Sequence, residues 1–234
     1  MKDWYAYWNE NPKRYGELEF LKQVGKTVGG KPISQAVVAM ITSEIIEKLS
    51  LRDDERVLDL CCGNGLISSN VSQFCAELVC VDFSETLIDV ARKYHQRKNV
   101  EYFCCSILDP KFYSEMADRG IGKAYMYEAL QNLRLGDLTL LLKMMKKVLP
   151  QNGVVFLGSI PNVAKMWSFY NTPERKAEYH RQVAQGTEAI GTWWDQEQLR
   201  EICEQQGFRA EISSQNSVLH TAHYRFDALI TNLP

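Results

Sequence analysis

The chain has 234 residues, of which 45% are hydrophobic and 24% charged, and its formal net charge at pH 7 is −2. This length and composition are typical of one globular domain with its own core. The charge is close to neutral and no Lys/Arg cluster stands out, so we expect neither a nucleic-acid partner nor a polybasic membrane anchor. Nowhere do about 18 apolar residues run together, and residues 1–20 lack the apolar segment of a secretory signal. The sequence therefore predicts a cytoplasmic protein that does not span a membrane.

The seven cysteines have a spacing that argues against a metal site. None belongs to a CxxC pair, and adjacent cysteines such as Cys61 and Cys62 cannot readily chelate one tetrahedral ion together. Most fall in or beside apolar segments, where a free cysteine behaves as a small hydrophobic residue. We therefore predict reduced, structural cysteines and no metal, which agrees with a cytoplasmic location.

Residues 1–50 are predicted to form a helical lid or cap segment. Its clearest helix follows Ser34, the expected N-cap, because Val38 and Ile41 begin an apolar face. Before that helix, GKTVGGKP (25–32) nearly matches the phosphate-binding loop GxxxxGK[ST]. Pro32 replaces the magnesium-binding hydroxyl and no strand precedes the segment, so we predict a flexible, glycine-hinged lid instead of a triphosphate site.

Residues 51–234 are predicted to form one domain in which strands alternate with helices. The strands are nearly continuous apolar runs, which is typical of a parallel sheet covered by helices on both faces. They are RVLDLCC (56–62), ELVCVD (77–82), VEYFCC (100–105), KAYMYE (123–128) and GVVFLGSI (153–160). The helices between them start near Gly65, Ser84 and Asp137, and we expect Asp137 to be the N-cap of its helix.

The end of the chain has a different pattern. A helix over 195–206 is stopped by Gly207 and followed by a short strand at 208–212. Apolar and polar residues then alternate from 222 to 230, which indicates a second strand. Only about nine residues separate the two strands, too few for a helical crossover, so they must pair antiparallel. The sequence predicts an α/β fold: a doubly wound, mostly parallel seven-stranded sheet with a C-terminal antiparallel hairpin, preceded by N-terminal helices.

A glycine turn follows the first predicted strand of the domain, at DLCCGNG (59–65). Gly63 and Gly65 nearly match the dinucleotide motif GxGxxG, and Asp82 ends the next strand about 20 residues on. A carboxylate in that position can accept hydrogen bonds from both hydroxyls of a ribose. This context predicts a ribose-containing ligand and keeps an NAD(P)-linked oxidoreductase as an alternative. An NAD site normally begins its fold, however, whereas about 50 residues come first here.

The segments VLDLCCGNG and VCVDFSETLIDVARK together resemble the class I S-adenosylmethionine-dependent methyltransferases, whose first strand ends in acid-x-G-x-G-x-G. Asp59 stands at the acid, Cys61 at the first glycine, and Gly63 and Gly65 at the other two. The N-terminal helices and the closing hairpin are also similar to that family, so the resemblance extends over most of residues 33–234. It implies a Rossmann-like sheet, with S-adenosylmethionine as the cofactor.

The resemblance also implies which residues contact the methionine and ribose parts of the cofactor. In the family, the glycine turn passes the methionine part. This assigns the backbone of Cys61, Gly63 and Gly65 to that part, with Asp59 near the ammonium group. Asp82 is assigned to the ribose hydroxyls.

The adenine end is assigned in the same way. The resemblance places Phe83 against the adenine ring and Ile107 beside it. At the position where the family usually offers an acid to the adenine amino group, this chain has Ser106. Asp109 is the alternative partner for that amino group.

The resemblance implies methyl transfer to a small molecule, and we expect O-methylation of a sugar-like or secondary metabolite, with N- or C-methylation left open. The resemblance also implies that Tyr127 and Glu128, which end the fourth strand, face the sulfonium. A hydroxyl acceptor must lose a proton, and His220 and His223 fall where the last hairpin leaves the catalytic edge. These two histidines and Glu128 are the candidate bases, whereas His95 is predicted to be solvated on a helix surface.

The connection over 161–194 is long and rich in aromatic residues, so we predict a substrate insert there. Gln131 and Asn132, which follow the fourth strand, can orient the acceptor. A catalytically inactive cofactor-binding interaction protein stays open as a third hypothesis, because Cys61 and Ser106 depart from the family pattern. The sequence does not predict the oligomeric state.

Overall fold

A computed structural model of the chain describes residues 2–234. The strands are β1 (Thr27–Val28), β2 (Lys31–Pro32), β3 (Arg56–Leu60), β4 (Glu77–Asp82), β5 (Val100–Cys104), β6 (Lys123–Tyr127), β7 (Val154–Pro161), β8 (Phe208–Ser214) and β9 (Arg225–Asn232). The last seven form one sheet in the order β5-β4-β3-β6-β7-β9-β8. The pairs from β5 to β7 are parallel, and β9 pairs antiparallel with both β7 and β8. The predicted α/β sheet with its C-terminal antiparallel hairpin is confirmed.

Helices cover both faces of this sheet. They are α1 (Trp4–Glu10), α2 (Phe20–Gln23), α3 (Gln35–Leu49), α4 (Leu66–Val71), α5 (Glu85–Tyr94), α6 (Pro110–Met116), α7 (Leu135–Val148), α8 (Met166–Phe169), α9 (Pro173–Gln185) and α10 (Gln196–Gln205). Successive strand residues point to opposite faces. Leu58 and Leu60 therefore pack in one core with α6, α7 and α10, while Val57 packs in the other with α3 and α5. Burying each such side chain contributes about 1.5–3 kcal/mol to stability.

The strand order reverses direction at β3, which lies between β4 and β6. Ligands of open parallel sheets bind outside the carboxyl ends of the strands at such a reversal. The crevice beyond the ends of β3, β4 and β6 is therefore where this fold places a ligand site.

The segment that nearly matches a phosphate loop forms a small hairpin, β1–β2, rather than an open loop. Gly29 and Gly30 make its turn with φ of 55° and 77°, as a two-residue hairpin turn of positive φ requires. Ser34 caps α3 as predicted, since its Oγ accepts the N–H of Val37 at 3.3 Å. Over residues 2–234, each helix is too short or too polar to cross a membrane. The division of the chain into 1–50 and 51–234 stays a prediction.

Two local predictions are wrong. α7 starts at Leu135, so Asp137 is its third residue rather than its N-cap, although the carboxylate does accept the N–H of Arg134 at 2.8 Å. The strand predicted over 222–230 begins at Arg225, because residues 219–224 are held in turns by their own backbone hydrogen bonds. His223 therefore lies in a turn and not in a strand.

Candidate functional site

The glycine turn after β3 has the left-handed backbone that its sequence predicts. Cys61, Gly63 and Gly65 have φ of 64°, 56° and 76°. This conformation costs a residue other than glycine roughly 1–2 kcal/mol, so Cys61 keeps the backbone of the glycine that the family has at this position. A Cβ on Gly65 would lie 2.5 Å from the hydroxyl of Tyr102, which leaves room only for glycine.

Asp82 connects this turn to the start of α5. The carboxylate is buried at the end of β4, where Oδ2 accepts the N–H of Gly63 at 2.9 Å and Oδ1 accepts the N–H of Ser84 at 2.8 Å. Burial raises the pKa of Asp82 to about 6, although these backbone hydrogen bonds oppose the rise. The carboxylate faces the crevice beyond the sheet, as a ligand for hydroxyl groups must.

Asp59 lies at the bottom of the same crevice. Its Oδ2 accepts hydrogen bonds from the hydroxyls of Ser68 and Tyr125, both at 2.6 Å. Burial raises the pKa of Asp59 to about 7, against the lowering effect of these two hydroxyls. The side chain therefore ties β3 to α4 and to β6.

A cavity of about 250 Å³ occupies the crevice at the reversal of strand order. The predicted cofactor residues line it with one exception, Gly65, whose neighbours Asn64 and Leu66 reach it instead. The lining set contains Asp59, Cys61, Gly63, Asp82, Phe83, Ser106, Ile107 and Tyr127, together with Glu128. The structure thus brings the predicted residues together around one space.

Phe83, Ser106 and Ile107, the residues assigned to adenine, all lie in the cavity lining. Ile107 is buried, and the half-buried ring of Phe83 lies 5.5 Å from that of Tyr5 between centroids. Ser106 lines the cavity, while its Oγ accepts the N–H of Leu108 at 3.1 Å. Asp109, the alternative partner for an adenine amino group, caps α6 and is not among the described lining residues.

Helix α1 forms the roof of the cavity with Trp4 and Trp8. It is fastened to α5 because Ser84 Oγ donates to the carbonyl of Trp8 at 2.7 Å and Thr86 Oγ1 donates to the carbonyl of Asn9 at 2.9 Å. The roof therefore rests on the helix turn that directly follows Asp82.

Unpaired polar atoms in the cavity lining suit a polar ligand. Trp8 Nε1 and Asn132 Oδ1 are both buried, and neither has a hydrogen-bond partner among the described residues. Leaving such a group unpaired costs about 1–3 kcal/mol. One donor, one acceptor, the Asp82 carboxylate and aromatic walls fit a nucleoside with a charged tail, as in S-adenosylmethionine.

The ion pair Lys26–Glu128 forms part of the cavity lining. Lys26 Nζ, from the hairpin segment, lies 2.5 Å from Glu128 Oε2, with side chains that are only 9% and 23% exposed. Burial alone would raise the pKa of Glu128, but the positive charges of Lys26 and Arg225 outweigh it and hold that pKa at about 2. Glu128 is thus an ionised, paired carboxylate, which makes it a weak general base.

A β-bulge in β7 holds Tyr127 and Glu128 in place. Ser159 has φ of 61° where the β7–β9 register shifts, and its N–H donates to Asp227 Oδ1 at 2.7 Å. Its carbonyl accepts from Arg225 at 2.5 Å, and its hydroxyl donates to Glu128 Oε1 at 3.4 Å. Bulges and residues of positive φ are frequent next to functional sites.

The two candidate histidines of the last hairpin are not equivalent. His220 is exposed and lines a second cavity of about 30 Å³, which shares Lys26, Tyr127 and Glu128 with the large one. Partial burial lowers the pKa of His220, although the Glu128 carboxylate opposes this. His223 lines neither cavity; its Nδ1 lies 2.9 Å from the carbonyl oxygen of His220.

The prediction that His95 is solvated is wrong. His95 is buried at the end of α5, its Nδ1 lies 2.7 Å from the carbonyl oxygen of Asn64, and its ring packs on Phe20. It therefore supports the glycine turn from behind. Asn64 completes this contact, since its amide donates to the carbonyl of Phe20 at 2.9 Å.

The 161–194 connection lies behind the site. No described residue of this range lines either cavity. Instead Trp194 Nε1 donates to the carbonyl of Leu130 at 3.2 Å, and the N–H of Thr192 donates to the carbonyl of Gln131 at 2.8 Å. The connection thus supports the loop after β6, and its role as a substrate insert stays a prediction.

The described residues contain neither a disulfide nor a cluster of metal ligands. Cys75, Cys80 and Cys203 are buried, Cys104 is exposed, and all seven thiols are free. In the part of the chain that the structure describes, no three His, Cys, Asp or Glu side chains gather into a group that could hold a metal ion.

Comparison with known proteins identifies a methyltransferase domain in this chain. Residues 57–153 match the sequence profile of a methyltransferase domain family. The chain is 23% identical over 142 residues to the ubiquinone biosynthesis O-methyltransferase of Pelagibacter ubique. The aligned residues make up 56% of this chain and 55% of that protein. The protein of the same name from Bartonella tribocorum is 24% identical over 121 residues, or 50% of this chain and 46% of that protein. The chain thus spans about half the length of these curated relatives.

Solved structures show the same fold. A methyltransferase from Anabaena variabilis that depends on S-adenosylmethionine has a TM-score of 0.66 and 19% identity, over 98% of this chain and 93% of that one. Magnesium protoporphyrin IX methyltransferase from Synechocystis, solved with S-adenosylhomocysteine bound, has a TM-score of 0.61 and 14% identity, over 97% of each chain. Both comparisons agree with the resemblance seen in the sequence: residues 57–153 match a methyltransferase domain, and the fold is the one found in methyltransferases that depend on S-adenosylmethionine.

Proposed function

We propose that this protein methylates a hydroxyl oxygen of a small molecule, with His220 as the base. The observation that carries the proposal is the position of His220, which shares a small cavity with Glu128 and Lys26 where that cavity adjoins the cofactor cavity. The match of residues 57–153 to a methyltransferase domain supports methyl transfer over the NAD(P)-linked oxidoreductase that the glycine turn alone left open.

The residues around the large cavity would hold the cofactor as the resemblance implies. Asp82 would accept the ribose hydroxyls, and the Asp59 carboxylate would attract the ammonium group. Phe83 and Ile107 would enclose adenine, with Trp8 above it. When bound, S-adenosylmethionine supplies a methyl group that is already activated by its sulfonium.

His220 is suited to take the acceptor's proton. Its lowered pKa keeps the imidazole neutral near neutral pH, so a ring nitrogen is free to accept. The ionised carboxylate of Glu128 would then stabilise the imidazolium that forms. A positioned base of this kind typically contributes about 10²–10⁴-fold to the rate.

The small cavity beside His220, of about 30 Å³, has room only for a small group, and its apolar walls support an acceptor whose hydroxyl lies next to an apolar part. Ile33, Val37, Ile41 and Leu219 form its apolar walls. The name of the curated relatives, an O-methyltransferase, supports oxygen as the acceptor atom.

Methyl transfer from radiolabelled S-adenosylmethionine to matched hydroxyl and amino compounds with apolar bodies tests the proposal. We expect label in the hydroxyl compounds only. Label in the amino compounds alone would contradict oxygen as the acceptor. Tight binding of S-adenosylhomocysteine with no transfer to any member of a broad panel would favour the inactive interaction protein.

A further inference from the structure

Two buried carboxyl groups meet behind the wall of the cavity. Glu44 on α3 is 8% exposed and Asp227 on β9 is fully buried. A hydrogen bond between the two side chains acts to raise the pKa of Asp227 and to lower that of Glu44. Two ionised carboxylates that face each other in a buried place repel strongly, so one of them must hold a proton.

The hydrogen bonds of Asp227 indicate where that proton lies. Oδ1 accepts the N–H of Ser159 at 2.7 Å, whereas Oδ2 is buried and no donor among the described residues reaches it. A proton on Oδ2 turns this unpaired acceptor into a donor toward Glu44. This proton removes the repulsion between the two carboxyl groups, and it also gives Asp227 Oδ2 a hydrogen-bond partner.

Glu44 connects the carboxyl pair to the cavity through a hydrogen bond with Tyr127. Its Oε2 accepts the hydroxyl of Tyr127 at 3.2 Å, and Tyr127 lines both cavities. Gln215 Nε2 also donates to the Tyr127 hydroxyl at 3.5 Å. Under the ring lies Gly158, where a Cβ would come within 2.4 Å of Tyr127. The Glu44–Asp227 pair therefore holds the far end of a ring whose face forms the site.

Three other charged groups lie near the carboxyl pair or the Tyr127 ring, and none of them takes the place of the shared proton. Lys48 attracts both carboxyls, but its Nζ donates to Ser213 Oγ at 3.0 Å. Glu128 and Lys26 face the Tyr127 ring from the cavity side, with Lys26 Nζ 5.2 Å from the ring centroid. Burial raises the pKa of Glu44 and raises that of Asp227 to about 7.

We infer that Asp227 and Glu44 share one proton, and that Asp227 is a positioning residue which, through Glu44, fixes the Tyr127 ring against the bound cofactor. Loss of the proton would separate the two carboxylates and release the Tyr127 hydroxyl. Cofactor affinity should then fall as the pH rises above the point at which the pair ionises. Only this binding step rests on the proposed function, since the shared proton is a property of the free protein.

Infrared difference spectroscopy on protein with ¹³C-labelled aspartate tests the proton directly. Asp59 and Asp82 are also buried aspartates with raised pKa values, so the spectrum of Asp227→Asn is subtracted from that of wild type to cancel their bands. We expect this difference to contain a protonated-carboxyl band below about pH 7, the value to which burial raises the pKa of Asp227, that fades above it. A difference spectrum without that band at any pH at which both proteins are folded would overturn the inference. This reading needs no cofactor and no methyl acceptor, so a failed proposed function would leave it intact.

Calorimetric titration with S-adenosylhomocysteine tests the positioning. The amide of Asp227→Asn can accept from Ser159 and donate to Glu44, so this variant should bind within about threefold of wild type and lose the pH dependence. Asp227→Ala should bind about tenfold more weakly, which corresponds to about 1.4 kcal/mol. Equal losses in the two variants would contradict the inference.

A double-mutant cycle separates positioning from a general structural role. If Asp227 acts through Tyr127, Asp227→Ala should cost little further affinity in a Tyr127→Phe background. Additive losses would show that Asp227 affects binding by another route and would overturn the inference. Circular dichroism of each variant checks that it is folded.

Discussion

The N–H of Gly63 donates a 2.9 Å hydrogen bond to Oδ2 of Asp82, so the glycine turn after β3 is held by the residue that ends β4. The other oxygen of the same carboxylate accepts the N–H of Ser84, one residue before α5. One side chain thus fixes two backbone segments and still faces the cavity. Its removal should affect binding and stability together.

Asp82→Ala should weaken the binding of S-adenosylhomocysteine by at least about tenfold, because hydrogen bonds to a charged group contribute about 1.5–3 kcal/mol. Isothermal titration calorimetry measures the affinity, and denaturant unfolding measures the stability. The matched control is Asp89→Ala, an exposed aspartate on α5, which should change neither. Unchanged affinity in Asp82→Ala would mean that the ribose binds elsewhere.

The glycine turn and Asp82 could be predicted because their relationship is local. A strand, a turn, a helix and a second strand follow one another, and parallel pairing brings the ends of β3 and β4 side by side. No local pattern relates Lys26 to Glu128, which is 102 residues away. The sequence shows that Lys26 is present, but only the folded N-terminal segment shows that its ion-pair partner is Glu128.

His95 could have been identified as buried, because Ile88 and Ala91 precede it at helical spacing on the inward face of α5. The charged residues around it hid this signal. The shift in the start of β9 had no such signal, because alternation continues through Ala222 and Tyr224 although the backbone turns there. Turn hydrogen bonds between neighbouring residues outweigh the alternating pattern at this point.

The free energy of unfolding should fall as the pH rises from about 4 to about 7. Burial raises the pKa of Asp59 and Asp227 to about 7 and that of Asp82 to about 6. The folded protein therefore binds more protons than the unfolded chain, in which these groups titrate near about 4, and stability is lost across that window. Urea unfolding over this range measures the slope. Asp59→Asn, which can still accept from Ser68 and Tyr125, should flatten it; an unchanged slope would show that Asp59 titrates normally.

Lys26→Met should lower stability by about 1–3 kcal/mol, less than the full cost of breaking a buried pair because Glu128 keeps some exposure. The Glu128 carboxylate would lose its nearest positive charge, so its pKa should rise. Lys31→Met, in the exposed second strand of the same hairpin, is the control and should be neutral. Adding Glu128→Gln to Lys26→Met should recover part of the loss, as measured by guanidinium unfolding. A Lys26→Met protein as stable as the control would contradict this account.

Gly158→Ala should weaken S-adenosylhomocysteine binding and lower the melting temperature, because the new Cβ would lie 2.4 Å from the Tyr127 ring and displace it. Gly136→Ala is the matched control. Gly136 is in α7, where an added Cβ would meet nothing within 4 Å, so this change should stabilise by about 0.5–1 kcal/mol. Thermal-shift and calorimetric data on both variants decide between local displacement and a general effect of alanine. Gly158→Ala with normal affinity would show that the ring is free to move.

His220 and His223 differ in their access to the site. His220 lines the small cavity beside Glu128, whereas His223 is outside both cavities with its Nδ1 near the His220 carbonyl. His220→Ala should therefore lower kcat by at least about 10²-fold and leave S-adenosylhomocysteine affinity unchanged, since a base acts in the chemical step alone. His223→Ala, three residues away, should keep near-normal kcat. In wild type, activity should fall at low pH as the imidazole protonates, and His220→Ala should lose that acidic limb. If both variants keep near-normal kcat, the proton leaves by another route, and an acceptor that is already ionised or that reacts through nitrogen becomes the better explanation.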